Sequence, residues 1–317
     1  MANALKLYNV SVDSKIYDNE IDNQITWTNF HNLTYSGTIQ TRAVFTKTDS
    51  TNYPHIEIEG IPTKIFIADS VWQIDPFTAT IDSNAIQINH FKFYNDQQEI
   101  AVNGKIAEDK SNILSVYFSD LDLKNLGIYL NTAIDLRGIV NGSAGIMDFY
   151  GQRKIYSDLS INNLAYEDQF IGDVALTNQW DNLKSLINSK LTITKNNRQS
   201  LNATGTYNPS TNELDYNAIL DHLSVVILAT VIRDNFSNLH GDATGHVKVH
   251  GTPDNVLLNG ALEGLNAGLT IDYTQVSYNF TDSVYFKGDT IDFANIHAAS
   301  IQHRSPNVNG RKLSLIH

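Results

Sequence analysis

Apolar and polar residues alternate with a period of two along most of the chain. The alternation is clearest between positions 241 and 280, where Val247 and Val249 are separated by polar or basic residues. This is the period of a β-strand that buries one face. The sequence Gly251-Thr252-Pro253 predicts the end of this strand, because proline has no N–H for a ladder and glycine accepts turn dihedral angles.

A second strand is predicted over residues 256–262, and the same alternation resumes after Gly264 and continues to Phe280. Its parity assigns a set of residues to one apolar side of the sheet: Val247, Val249, Leu269, Ile271, Val276, Tyr278 and Phe280. The other parity assigns a second set to the side that is expected to face water: Lys248, Thr270, Asp272, Gln275, Ser277 and Asn279.

The parity of the apolar positions changes once in the first third of the chain. Ile86 and Ile88 share one parity, whereas Phe91 and Phe93 have the other. A slip of one residue sends every following side chain to the opposite face of a sheet. We therefore expect a bulge or a bend near His90.

Two segments depart from the two-residue period. Residues 121–130 carry leucines at a spacing that favours a short helix. Residues 220–236 form a second helix candidate, although the run Val225-Val226-Ile227 also suits a strand. Elsewhere strands and turns recur roughly every 10–15 residues, which predicts about twenty strands and at most two short helices. Strands do not alternate with long helices, so the sequence predicts an all-β protein rather than a parallel α/β sheet.

Composition excludes several classes of function. Lys and Arg total 22 against 34 Asp and Glu, a net charge of −12, in 317 residues. This acidity argues against binding to nucleic acid and against electrostatic attachment to anionic membranes. The chain has no cysteine, so disulfides and thiolate chemistry are excluded. Its longest apolar run, residues 225–232, is far shorter than the ~18 residues that suggest a membrane-spanning helix.

Candidate catalytic or metal-binding side chains are few. Three carboxylate pairs have a spacing that could support acid–base chemistry: Asp120 with Asp122, Asp289 with Asp292, and Glu57 with Glu59. Apolar residues occupy the alternate positions at each pair, so a solvated outer face of a strand explains the pairs better, and no catalytic residues are predicted. His246 and His250 lie about 13 Å apart on an extended strand, too far for both to bind one metal ion directly.

The abundant Tyr and Phe residues, 15 and 13 in number, lie mainly at strand positions. They suit the closed core of a sandwich, and they equally suit an open groove lined by aromatic and branched side chains. Periodicity alone does not separate these two interpretations.

A resemblance to a known family bears on this choice. The sequence pattern Gly241-x-x-x-Gly-x-Val-x-Val-x-Gly-Thr-Pro253 is followed by three further segments, Gly260-Ala-Leu262, Ile271-Asp-Tyr273 and Val276-Ser-Tyr-Asn-Phe280. Earlier segments fit the same pattern, among them Val71-Trp-Gln-Ile-Asp-Pro76 and Ile100-Ala-Val-Asn-Gly-Lys-Ile106. The order of these segments resembles the C-terminal domain of the TamB family of AsmA-like envelope proteins. The resemblance covers most of residues 70–317. Residues 1–69 share only the general character of the sequence and none of these segments.

The resemblance implies an elongated, curved β-sheet with an open apolar groove, continuous over residues 1–317, and the apolar set named above would line it. By the same resemblance, the whole protein spans the periplasm from an inner-membrane anchor outside this sequence. It moves phospholipid towards the outer membrane and supports outer-membrane protein assembly with a partner of the Omp85 family, which a region outside this sequence would contact. The groove would take phospholipid acyl chains without a cofactor. We expect the chain to be a fragment of such a protein.

Two other interpretations stay open. One is an extracellular or envelope β-solenoid with a binding or structural role and no lipid. The other is a carbohydrate-active β-helix enzyme, which would need a carboxylate cluster or basic residues in a cleft.

Overall fold

The computed structural model describes residues 8–31, 33–47, 54–67, 70–124, 136–228, 236–280, 283–288, 290–292 and 312–314. Within these residues the chain forms 22 β-strands and one four-residue 3-10 helix, and Leu123 and Lys124 are α-helical. Every strand pairing is antiparallel. The all-β fold class predicted from the sequence is therefore confirmed.

The strand bounds agree with the predicted alternation in most places. The first half of the chain forms β1 (Ser11–Tyr17), β2 (Glu20–His31), β3 (Leu33–Lys47), β4 (Pro54–Gly60), β5 (Thr63–Ile67), β6 (Ser70–Ile74), β7 (Phe77–Asp82), β8 (Ala85–Asn95), β9 (Gln98–Ala107), β10 (Ile113–Asp122) and β11 (Leu136–Met147). The second half forms β12 (Lys154–Tyr166), β13 (Gln169–Asp181), β14 (Leu186–Lys195), β15 (Arg198–Asn208), β16 (Glu213–Ser224), the 3-10 helix η1 (Val225–Leu228), β17 (Phe236–Thr252), β18 (Asn255–Ile271), β19 (Val276–Phe280), β20 (Ser283–Gly288), β21 (Thr290–Asp292) and β22 (Lys312–Ser314).

From β13 to β18 each strand pairs with the strands next to it in the sequence. In three places two shorter strands pair with one neighbour: β19 and β20 both pair with β18, and proline separates the strands of the other two pairs. β4 and β5 both pair with β3 and are separated by Ile61-Pro62. β6 and β7 both pair with β8 and are separated by Asp75-Pro76. Since proline cannot donate to a ladder, it divides each long strand into two aligned halves without changing the order of the sheet.

Contacts within the chain divide it into two compact units, which are described separately below. Unit 1 comprises Met1–Ala133 and Ile139–Leu159, and unit 2 comprises Ile134–Gly138 and Ser160–His317.

A recurrent bulge bends four of the strands. Its central residue has a positive φ, and the four examples are His90 (59°), Asp120 (47°), Asn163 (55°) and His222 (53°). In each bulge the backbone N–H of that residue donates to a side-chain oxygen on the next strand. The acceptors are Asn103 Oδ1 at 3.4 Å, Asn141 Oδ1 at 2.8 Å, Asp173 Oδ1 at 2.7 Å and Thr244 Oγ1 at 3.0 Å.

Because a bulged residue has no partner in the ladder, this side-chain acceptor satisfies an N–H that would otherwise be orphaned. The pairing register shifts by one residue at His90, at Asp120 and at His222. The bulge predicted near His90 is therefore confirmed, and the other three were not predicted.

The two helix predictions fare differently. In the first candidate, residues 121 and 122 belong to β10, residues 123 and 124 are α-helical, and residues 125–130 lie outside the described residues. The second prediction is wrong for Leu220–Ser224, which end β16, and is confirmed only by the short helix η1 at Val225–Leu228. Residues 229–235 lie outside the described residues. The break expected after Gly264 is also wrong, because β18 continues to Ile271. In the described part of the chain, no helix has the length and apolar character needed to cross a membrane.

Candidate functional site

Unit 2 presents one apolar sheet face, which we call the unit 2 face. Directly opposed residues of antiparallel strands place their side chains on the same side of a sheet, so the pairing registers define rows across β13–β18 and β20. The first row is Val174, Ile193, Leu201, Leu220, Gly245, Leu262 and Val284. The second is Leu176, Leu191, Ala203, Ala218, Val247, Gly260 and Phe286. The third is Asn178, Ser189, Gly205, Tyr216, Val249, Leu258 and Gly288. The fourth is Trp180, Ile187, Tyr207, Leu214, Gly251 and Val256.

The opposite side of the same strands is polar. One row across it consists of Thr177, Lys190, Thr204, Asn217, Lys248, Asn259 and Lys287. Lys248 Nζ lies 3.0 Å from Asp215 Oδ1 on the neighbouring strand, and both side chains are about half exposed. An antiparallel sheet with one apolar and one hydrated side is the arrangement that strict alternation predicts.

Burial is uneven across the unit 2 face, and Val247 on β17 is only 5% exposed. Ile193 on β14 is 1% exposed and Trp180 on β13 is 8% exposed, whereas Val256 on β18 is 43% exposed. The helix η1 lies against β17 and reaches β13, and its Val226 is fully buried. The face is therefore filled on β13 and β14 and at Val247 of β17, and is partly open from Val249 of β17 to Val256 of β18.

The residues that the sequence assigned to the apolar side lie on β17, β18 and β19. Val247 is 5% exposed, and the others whose side chains are described are half-buried. Val247 and Val249 belong to the second and third rows. Leu269 is directly opposite Tyr278, and Ile271 is directly opposite Val276.

A bulge joins these two groups on one side of the sheet. Asp242 faces Leu265 and His240 faces Gly268, so one extra residue of β18 is accommodated at Asn266, whose φ is 50°. The extra residue shifts the alternation of β18 by one position. The even-numbered residues before Asn266 therefore lie on the same side of the sheet as the odd-numbered residues after it, which include Leu269 and Ile271. Phe280 pairs through its backbone with Ala267, and its side chain lies outside the described residues. The role of these residues as a lipid-groove lining stays a prediction.

One residue of the set expected to face water does not do so. Thr270 is 7% exposed, although it lies on the polar side opposite Ser277. Asn238 Nδ2 donates to Thr270 Oγ1 at 3.1 Å, and the Ser277 hydroxyl lies 2.8 Å from the same oxygen. Neighbouring polar side chains cover Thr270, so the prediction that it faces water is wrong.

Unit 1 has an apolar face of its own. One row contains Trp27, Gly37, Ile65 and Trp72. A second row contains Ile74, Phe93, Ile100 and Phe118. Trp72 is 1% exposed and stacks on Phe93 with ring centroids 4.7 Å apart. Glycine at position 37 makes room for the Trp27 ring, which a Cβ there would overlap.

Four of the carboxylates considered as acid–base pairs lie beside local donors. Asp120 Oδ1 accepts from Asn141 Nδ2 at 3.2 Å, and Asp122 Oδ1 accepts from the backbone N–H of Lys124 at 2.9 Å. Glu57 lies beside His55. Asp289 lies outside the described residues, and Asp292 lies 3.3 Å from Lys287 Nζ.

Metal binding finds no support in the described residues, where no group of three or more His, Asp or Glu side chains could hold a metal ion. His246 and His250 lie in a regular part of β17, opposite Ala261 and Leu257, so the strand does not bring them together.

His55 lies between two carboxylates on the polar side of unit 1. Its Nδ1 lies 2.5 Å from Asp82 Oδ1 and its Nε2 lies 3.2 Å from Glu57 Oε1. Both ring nitrogens must carry a proton to donate to both partners. The hydrogen bond to Asp82, followed by that to Glu57, raises the pKa of His55.

We expect His55→Gln to remove a pH-dependent part of the stability. Because the pKa is raised by folding, this stabilisation is complete below the unfolded value of about 6.5 and is lost as the pH rises through the folded pKa. Urea unfolding should therefore separate wild type from variant more at about pH 5.5 than at about pH 9. An equal separation at both pH values would contradict the role of the charged imidazole.

Comparison of the chain with protein-family models, with curated proteins and with solved structures finds no match in any of the three. The functional argument therefore starts from the two-sided sheet itself.

Proposed function

We propose that the chain is a non-enzymatic segment of a lipid conduit, in which the unit 2 face holds the acyl chains of phospholipids. The observation that carries this proposal is the group of partly exposed apolar side chains Val249, Leu258 and Val256, which continues the buried rows of β13 and β14 on the same side of the sheet. Acyl chains on such a surface would exchange water for apolar contacts.

The energetics of this exchange favour long chains over small solutes. Each buried CH₂ contributes about 0.8 kcal/mol, so even a partial acyl chain gains several kcal/mol. Binding of this kind needs no directional polar groups on the face itself. Headgroups would stay in solvent, and the acidic surface offers anionic headgroups no electrostatic attraction. A passive path of this type requires no catalytic residue and no cofactor.

The resemblance to the TamB family supplies the setting of the proposal. In this proposal, the chain belongs to a periplasmic protein that is anchored in the inner membrane. That protein passes phospholipid towards an Omp85-family protein of the outer membrane and supports outer-membrane protein assembly. Residues 70–317 carry this resemblance.

A second candidate is a structural or binding β-protein of the envelope or cell exterior without lipid. The burial of Ile171 and Ile193, at 0% and 1% exposure, favours it for the part of the sheet nearest η1. In this alternative the apolar rows would be a closed core throughout, and no ligand would reach β17.

The proposal is tested by a photo-crosslinking amino acid placed at neighbouring positions on opposite sides of one strand. Val249 lies on the unit 2 face and Lys248 on the polar side, and both are half-buried. We expect lipid adducts in cells from position 249 and none from position 248. Tyr278 and Asn279 provide a second pair of the same design on β19.

Mass spectrometry of an organic extract of the purified protein provides the independent measurement. Co-purified phospholipid is expected. Equal labelling of both sides, or the absence of adducts together with lipid-free protein, would overturn the conduit and favour the closed core.

A further inference from the structure

The edge strand β1 is fully exposed although it carries apolar side chains. All seven residues from Ser11 to Tyr17 are exposed, and the apolar side chains Val12 and Ile16 are 62% and 71% exposed. Among the described strands, β1 pairs with β2 alone. A long, apolar, unpaired edge is a template for another strand.

The turn that joins β1 to β2 determines which backbone groups are available at this edge. Tyr17 is directly opposite Glu20 across the two-residue turn Asp18-Asn19, and the closing pair of such a turn exchanges both hydrogen bonds. Since bonded and non-bonded pairs alternate, the odd-numbered residues of β1 bond to β2. Val12, Ser14 and Ile16 therefore direct their N–H and C=O groups away from the sheet.

The side chains of β1 are self-complementary about Ser14. If a second β1 runs antiparallel with Ser14 facing Ser14, then Val12 faces Ile16 and Asp13 faces Lys15, each twice by symmetry. Val12 and Ile16 lie opposite Ile25 and Ile21 of β2, so the apolar pairs of both copies would lie on one continuous side. Asp13 lies opposite the neutral Gln24 and gains a cation in this register.

We propose that β1 is a homodimerisation edge, at which two copies of this chain join their sheets through an antiparallel β1–β1 pair centred on Ser14. The three outward residues of each copy complete about six hydrogen bonds across the dyad. Asp13 and Lys15 then form non-hydrogen-bonded pairs, the type in which opposed side chains are closest. The contact is isologous, so it closes at two copies.

Other registers are less favourable on charge. Centring the pair on residue 13 opposes Asp13 to Asp13, and centring it on residue 15 opposes Lys15 to Lys15. A parallel pair also opposes Asp13 to Asp13. The register centred on Ser14 uses the whole strand and pairs every charge. The inference does not depend on what the unit 2 face carries.

Charge reversal with rescue tests the register in solution. Asp13→Lys places a second ammonium group opposite Lys15, and Lys15→Asp places a second carboxylate opposite Asp13. Each variant alone should therefore dimerise at least about tenfold more weakly at low salt. An equimolar mixture of the two variants should recover the dimer, because every opposed pair is again of opposite sign. A loss caused only by a damaged hairpin would not be rescued by mixing.

Sedimentation equilibrium of the wild type, both variants and the mixture gives the readout. Asp254→Lys, on an exposed turn of unit 2, is the control for the change in net charge and should dimerise as the wild type does. A monomeric wild type at high concentration, or a mixture that stays monomeric, would overturn the proposal.

Cysteine crosslinking tests the dyad itself, because the chain has no natural cysteine. Hydrogen-bonded antiparallel residues have Cα atoms about 5.5 Å apart, within the range of a disulfide. Ser14→Cys should therefore give a covalent dimer on mild oxidation. Ser11→Cys is the matched control, since its symmetry mate would lie about 20 Å away. Equal crosslinking at both positions, or crosslinking at position 11 alone, would contradict the register.

Discussion

Replacement of Trp72 by alanine is expected to destabilise unit 1 by about 3–5 kcal/mol, the range for large aromatic residues removed from a core. Trp72 is 1% exposed, stacks on Phe93 and faces Ile65 across the β5–β6 ladder. It belongs to the buried cluster that also contains Trp27, Ile67, Ile74 and Leu121. Because the neighbouring side chains are fixed by their own strands, they can fill the volume that the indole leaves only by distorting the ladder.

Chemical denaturation followed by circular dichroism measures this loss. Val71→Ala is the matched control, because Val71 precedes Trp72 on the other side of β6 and is 37% exposed. Its cost should stay within about 0.5 kcal/mol. Trp72→Phe should cost less than Trp72→Ala, since it retains a ring against Phe93 and removes a buried indole N–H that has no hydrogen-bond partner among the described residues. Equal stability of Trp72→Ala and wild type would show that the cluster is not a core.

The sequence predicts the strands well, and it misleads where the strands bulge. A bulge with one residue at positive φ keeps the apolar residues on either side of it on the same face, at a spacing of three. Phe118 and Leu121, and likewise Leu220 and Leu223, flank register shifts of this kind. A spacing of three is also the signature of a helix, and this explains why the segment that begins at Leu220 was interpreted as a helix candidate.

The bulge near His90 was predictable because several isoleucines and phenylalanines on each side established two clear parities. Ile88 and Phe91 flank it at the same spacing of three. The distinguishing signal is the residue between the apolar pair. Asn, Asp and His tolerate positive φ better than other non-glycine residues. His90, Asp120, Asn163 and His222 occupy that place in the four bulges with a side-chain acceptor, and Asn266 occupies it in β18.

The extent of the apolar face could not be derived from alternation alone. Alternation shows that Val249 lies on the apolar side of its own strand, but not that Tyr216 and Leu258 are its neighbours. Those neighbours depend on the register of β16 and β18, which the bulges shift by one residue at a time. Burial depends on still more distant elements, such as η1 above β13. The sequence therefore predicts the character of the face and leaves its depth undetermined.

An aspartate placed in the two parts of the unit 2 face is expected to have opposite outcomes. Ile193→Asp should destabilise unit 2 by about 3–5 kcal/mol, because an unpaired carboxylate would be buried at a position that is 1% exposed. Val249→Asp should cost only about 1 kcal/mol if the face is open at β17, since the carboxylate can stay hydrated between Tyr216 and Leu258.

Urea unfolding of the two variants, with Thr192→Asp on the polar side of β14 as control, separates an open face from a closed core. If the rows are closed throughout, Val249→Asp should unfold the protein as severely as Ile193→Asp does. If the face is open and holds acyl chains, Val249→Asp should fold and lose its co-purified phospholipid, because a hydrated charge then occupies the apolar surface. A folded Val249→Asp variant that retains lipid as the wild type does would place the ligand elsewhere and contradict the role proposed for β17.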